Sequence, residues 1–185
     1  MDPHITTFSG ITLNPLNPEP SQIDVIDIAH HLSCINRFNG GLPTPMSVAQ
    51  HSVNVSRLLH PYGLKKLGLF HDAAEAYLGD VTKWLKQTPQ MAEFRKAEER
   101  VTATIFAVLV IKPSEHDLHY LEWADRLMVR AEAEQHNPYH AMFSNPKYPH
   151  LNGEERIIMK DCGVYLDHQK WYQAKLSFIE EMTQL

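Results

Sequence analysis

Between Leu69 and Asp80 four ionisable residues, His71, Asp72, Glu75 and Asp80, interrupt a segment otherwise made of alanines, aromatics and leucines. Burying an imidazole or a carboxylate without a partner costs several kcal/mol, so such groups on an apolar segment call for a compensating ligand, most simply a metal ion. On a helix His71 and Glu75, four apart, stack on one face, and Asp72, rotated by about 100° from His71, reaches an ion lying between their directions. Two further candidates come from elsewhere in the chain. His51 shares an apolar stripe with Val55, Leu58 and Leu59, and Asp125 shares one with Leu118, Leu121, Ala124, Met128 and Glu132. The set His51, His71, Asp72 and Asp125 therefore predicts one divalent transition metal (zinc, cobalt, manganese, nickel or iron) held by mixed nitrogen and oxygen ligands, with positions left for water and substrate. Glu75 is then placed to handle protons.

The elements that must position these groups read as helices. From Asp24 to Ile35 the apolar residues Val25, Ile28, Ala29 and Leu32 follow helical spacing, and Ser47 to Gln50 is a capping-box pattern opening a second helix that carries His51. A third helix is expected from near Leu64, ending at Gly79, with His71 and Glu75 on its inner stripe. Thr88-Pro89 opens a fourth, expected to be the longest, whose stripe reaches Ile111 and includes Glu98, paired with an arginine or at the rim. Ser114 to Asp117 caps the fifth helix. Residues 137–153, rich in proline and asparagine, predict a long irregular loop, a lid or a subunit contact, before a last helix over roughly 154–183 interrupted at Gly163. Residues 5–20 are turn-rich, an arm that could form a hairpin about Gly10.

Composition bounds the rest. A chain of 185 residues with 43% hydrophobic content suits one domain, 1–185, of all-α class. Net charge −5, without a basic cluster, argues against holding duplex nucleic acid through its phosphates. Two cysteines, Cys34 and Cys162, without CxxC spacing, and no apolar run of membrane length point to a reduced, cytoplasmic protein without a targeting segment. Each candidate also has a plainer role: His51 as a core histidine, Asp125 as an ion-pair partner of Arg126 or Arg130, Asp80 as a turn residue, Lys83 and Lys86 as a solvated face. His116 and His119, three apart, raise a second metal site as a weaker alternative.

His51 in Ala49-Gln50-His51-Ser52, His71-Asp72 in Phe70-His71-Asp72-Ala73-Ala74-Glu75-Ala76 and Asp125 in Trp123-Ala124-Asp125-Arg126 resemble the ordered signature of the HD-domain phosphohydrolases. The resemblance spans roughly Thr7 to Gln135 and is closest to bacterial 5'-deoxynucleotidases and phage deoxyadenosine triphosphate triphosphohydrolases. It implies an HD-type helical bundle, a small-molecule 2'-deoxynucleotide as substrate and hydrolysis of its phosphate. A homo-oligomer is implied too, a dimer or larger, in the cytoplasm or, if phage-encoded, the host cytoplasm. By the same resemblance His51, His71, Asp72 and Asp125 are metal ligands, Glu75 is the catalytic acid/base and Asp80 lies beside the reacting phosphate. Lys86 and Lys83 contact phosphate, and magnesium accompanies the phosphates of the substrate. Similar enzymes carry arginine then tryptophan ahead of the first histidine; Arg37-Phe38 stands there, the arginine expected on phosphate and the ring beside the sugar. Phe38 departs from that pattern. Monophosphate and triphosphate substrates, and another HD phosphodiesterase or a silent nucleotide-binding module, stay open.

Overall fold

In the computed structural model, which describes residues 4–185, one helix is almost wholly enclosed by the others. This is α2, Val48–Leu59, where every residue but Arg57 is buried. Around it pack α1 (Val25–Cys34), α3 (Lys65–Phe70), α7 (Glu115–His136) and α9 (Trp171–Thr183). The α2 side chains divide between two apolar clusters. Val48, Ala49 and Val53 join Ile28, Leu32, Leu69, Phe70 and Phe178, while Val55, Leu58 and Leu59 join Leu127, Met128 and Met159. The polar residues of α2 lie between these clusters, so its sequence carries the site inward instead of exposing a polar face.

The chain is all-α apart from a two-stranded N-terminal hairpin, β1 (Ile5–Thr6) antiparallel to β2 (Thr12–Leu13), which turns at Gly10 with φ +89°. Asp27 on α1 pins this arm by accepting from the Ser9 amide at 2.8 Å and the Ser9 hydroxyl at 2.7 Å. Helix α1 begins where expected, Asp24 accepting from the amides of Ile26 and Asp27. Ser47 likewise caps α2 by accepting from the Gln50 amide. Gln50 does not close the expected box: its side-chain nitrogen donates to the carbonyls of Tyr165 and Asp167, and its oxygen accepts from Gln169. Together with Asn54, which bonds both the carbonyl and the amide of Tyr165, it straps residues 164–170 across α2. That strap splits the expected last helix into α8 (Gly153–Asp161) and α9, with Gly163 at φ +70° making the turn.

Two other expectations are corrected. The longest helix is α7, with 22 residues against 18 for α6 (Ala92–Leu109), because α6 stops at a left-handed Val110 and its first turn, Pro89–Met91, is 3₁₀. The third helix is not continuous. After α3 the amides of Ala73, Glu75, Ala76 and Tyr77 each bond three residues back, and α4 (Glu75–Leu78) closes the segment before Gly79. A side chain is responsible. His71 Nδ1 lies 2.7 Å from the Gly68 carbonyl, the acceptor that the Asp72 amide would use in a continuing α-helix. Gly68 also lets α3 approach α2, since a Cβ there would stand 2.8 Å from Ser56 Cα. A short α5 (Lys83–Lys86) and the 137–152 loop, with one 3₁₀ turn at Ala141–Ser144, complete the face that holds the site.

Candidate active site

Where α2, the end of α3 and α7 meet, His51, His71 and Asp72 come together, one ligand-capable atom from each lying within 4.8 Å of the others. The tightened turn after α3 sets His71 Nε2 3.1 Å from Asp72 Oδ2. His51 Nε2 lies 3.7 Å from the same oxygen and 3.3 Å from Asp125 Oδ1, so Asp125 joins the group through His51. Neither arginine near it in sequence pairs with Asp125: Arg126 pairs with Glu122, and Arg130 with Glu155. His116 and His119 are exposed on the first turns of α7, and His116 meets Tyr120 edge-on.

The orientation of the two imidazoles is informative. His51 Nδ1 faces Glu132 Oε1 at 2.6 Å and His71 Nδ1 faces the Gly68 carbonyl, and both partners can only accept. Each Nδ1 therefore carries the proton, which leaves each Nε2 turned to the carboxylates, and both Nε2 atoms are buried with no hydrogen bond. A lone pair aimed at carboxylate oxygens is repulsive unless a cation lies between them. Without a metal, protonation answers this need: burial and the Arg37 charge oppose it, yet Glu132 and Asp125 push the His51 pKa up to about 9. A divalent ion would answer it equally, and a donor set of two imidazole nitrogens and two carboxylates fits one.

Above this floor opens a cavity of about 660 Å³. Eight of the ten sequence-predicted residues line it: Arg37, Phe38, Asp72, Glu75, Asp80, Lys83, Lys86 and Asp125. His51 and His71 lie beneath, behind the carboxylates. Burial would raise the Asp72 pKa, but the His71, His51 and Arg37 charges hold it well below the carboxylate range. Asp125 is likewise lowered, the His51 contact overcoming burial. Glu75 goes the other way: burial first, then the charges of Asp72 and Asp80, raise it well above the usual value, which favours its acid form. Burial and Asp72 raise Asp80 too.

The cations are more committed than the sequence suggested. Lys86 Nζ sits 2.5 Å from Glu98 and 3.4 Å from Glu75, so the partner of Glu98 is a lysine and not an arginine. Arg37 is buried, its Nε 2.8 Å from Glu132 Oε2 and its Nη1 3.5 Å from Asp72. Phe38 is half-buried in left-handed backbone, φ 56° and ψ 29°, uncommon for a non-glycine residue, and its ring meets His140 edge-on. Glu132 is the site residue the sequence reading placed on a helix face without assigning a role. Its spacing held the signal, since seven residues after Asp125 is two helical turns along one side of α7. Beyond it, the loop side chains His140, Met142, Asn145 and Tyr148 form the far wall of the cavity, which no motif announced.

An all-α protein with a candidate metal centre under a cavity rimmed by charged side chains is the class that fold and site define. No protein-family model matches the chain. It belongs to the same family as the uncharacterized protein RCAP_rcc00048 of Rhodobacter capsulatus, to which it is 34% identical over 144 residues, 69% of this chain and 70% of that relative. It is also 39% identical over 101 residues to the uncharacterized protein YfdR of Escherichia coli (strain K12), a match that spans only 55% of the length of each. Among the described residues, no helix is long and apolar enough to cross a membrane.

Proposed function

We propose that the protein is an HD-type, metal-dependent phosphohydrolase acting on a phosphate of a 2'-deoxynucleotide. One observation carries the reading: two buried imidazoles, each fixed through Nδ1, turn unpartnered Nε2 atoms toward Asp72 and Asp125 at the floor of a cavity. His51, His71, Asp72 and Asp125 would hold the ion. When bound, it supplies Lewis acidity, which brings the pKa of a water molecule towards about 7 and polarises a phosphoryl oxygen.

The remaining steps belong to the chain. Arg37, its Nε committed to Glu132, keeps terminal N–H groups for the nonbridging oxygens of a phosphate. Lys83, on the exposed rim, adds a positive charge. Glu75, whose pKa burial and its carboxylate neighbours raise, donates a proton to the departing oxygen, and Lys86 keeps it oriented. Asp80, raised in the same way, faces the same volume and can accept or share a proton beside the phosphate. Phe38 walls the cavity on the Arg37 side, where a sugar attached to that phosphate would lie.

The test is product analysis with all four deoxynucleoside mono- and triphosphates and their ribonucleotide counterparts, each with zinc, cobalt, manganese, nickel, iron and magnesium. Inorganic phosphate from a monophosphate, or triphosphate plus nucleoside from a triphosphate, supports the reading and names the bond cleaved. Binding without turnover under every metal would replace it with a nucleotide-binding module.

A further inference from the structure

We propose that Glu132 is a positioning residue that ties the metal edge of the site to its anion edge, one carboxylate oxygen serving each. The proposal rests on the metal reading above and goes beyond it by assigning a residue outside the ligand set. Glu132 is fully buried on α7, with Oε1 2.6 Å from His51 Nδ1 and Oε2 2.8 Å from Arg37 Nε. Both partners donate, so the two oxygens are engaged by two groups from different parts of the chain. The first contact keeps the His51 proton on Nδ1 and leaves the Nε2 lone pair facing Asp72 and Asp125. The second fixes the guanidinium with Nη1 beside Asp72, at the wall of the cavity. A purely structural glutamate needs one partner for its charge; this one joins the metal-facing imidazole to the most buried cation lining the cavity.

The substitution Glu132→Gln discriminates because an amide offers one acceptor and one donor group in nearly the same shape. One of the two contacts must then become donor against donor. Arginine cannot give up its proton, whereas imidazole can move its proton to the other nitrogen at small cost. The amide oxygen therefore stays with Arg37 and the amide N–H₂ turns to His51 Nδ1. The histidine proton moves to Nε2, where it donates towards Asp125 and blocks the lone pair a metal needs. Loss of such an outer partner of a ligating histidine typically weakens metal binding about 10- to 100-fold.

The experiment measures cobalt(II) affinity by chelator competition with the visible absorption band as signal, and inorganic phosphate affinity at saturating metal, in wild type and Glu132→Gln. The expected result is cobalt binding weakened about 10- to 100-fold with phosphate affinity changed by less than about twofold. Cobalt affinity within about threefold of wild type, or a loss confined to phosphate, overturns the inference and leaves the metal reading standing. Wild-type protein that binds no cobalt overturns both. If the variant does not fold, ring ¹⁵N shifts of histidine in the zinc-loaded wild type decide: a proton on His51 Nδ1 is expected, and one on Nε2 refutes the assignment.

Discussion

The floor and the rim of the cavity are built on opposite principles. On the floor His51, His71, Glu132 and Arg37 each meet a partner from a distant part of the chain or from the packed α3 turn, and His51 and Glu132 have no exposed surface. On the rim, polar side chains are held by their own loop: His140 Nδ1 accepts from the Met142 amide at 3.2 Å and Asn145 from the Lys147 amide at 3.0 Å. What reaches across there is aromatic contact, Phe38 edge-on to His140 and Trp84 tilted against Tyr148, each at 5.8 Å between ring centroids. The difference teaches that the candidate metal site is joined to the core, while the rim rests on short-range contacts that can change without unfolding it. The C-terminal end of the loop is also hydrogen-bonded to α7, where Glu134 accepts from the Leu151 amide and Arg130 donates to the Pro149 carbonyl.

The sharpest way to break this comparison is to remove the floor. His71→Ala and Asp125→Ala should each abolish the binding of one transition metal ion per chain, measured by metal analysis of protein purified without chelator. Unchanged content in both variants would end the metal assignment. Glu75→Ala should keep the metal and the fold yet lower turnover by about 100-fold or more, and activity within a few fold of wild type would move proton handling elsewhere.

Next in size comes the support beneath the floor. A Cβ at Gly68 would meet Ser56 Cα, Ser56 N and the Val55 carbonyl at 3.0 Å or less, all backbone atoms that cannot step aside. Gly68→Ala should therefore destabilise by about 1–3 kcal/mol and weaken metal binding, because the Gly68 carbonyl that orients His71 moves with α3. Thermal denaturation with and without zinc checks both effects; an unshifted midpoint would mean that α3 and α2 separate freely.

A rim substitution should do the reverse. Phe38→Ala should leave metal content intact and relax any preference for deoxyribose over ribose, read as the ratio of kcat/KM for matched nucleotide pairs. It should also relieve little backbone strain, since alanine in left-handed backbone stays disfavoured. An unchanged ratio would make the ring a packing plug. Back on the floor, Arg37→Lys should weaken substrate binding although charge is kept, because a lysine cannot bridge Glu132, Asp72 and a phosphate together.

The smallest effect expected lies outside both regions, at Asp27 under the hairpin. Burial would raise its pKa, but hydrogen bonds from Thr7 and Ser9 bring it below the ordinary 3.8. A lowered carboxylate stabilises the folded state above its unfolded pKa, and that contribution is lost as pH falls through the folded value. Protection of the Ser9 amide from hydrogen exchange should thus fall on acidification below about pH 4 while amides of α2 stay protected. Simultaneous loss would show that arm and core open together.

Much of the site was legible in the chain because helical spacing is a local property. The stripes holding His51 and Asp125 and the caps at Ser47 and Ser114 follow from the geometry of one helix, and need no knowledge of neighbours. The all-α class and the N-terminal hairpin were readable on the same terms. What the tertiary structure alone decided is whatever depends on a contact between distant segments. The α3 helix breaks at His71 because a side chain competes for the Gly68 carbonyl, a competition that residue type and period do not express. Gln50 looked like half of a capping box until the 164–170 strap offered it carbonyls that water would otherwise have bonded. Glu132 lay on the inner face of α7 by period alone, but its role required knowing that His51 and Arg37, 81 and 95 residues away, arrive at its two oxygens. A buried charge takes its meaning from its partners, and those come together only when the fold closes.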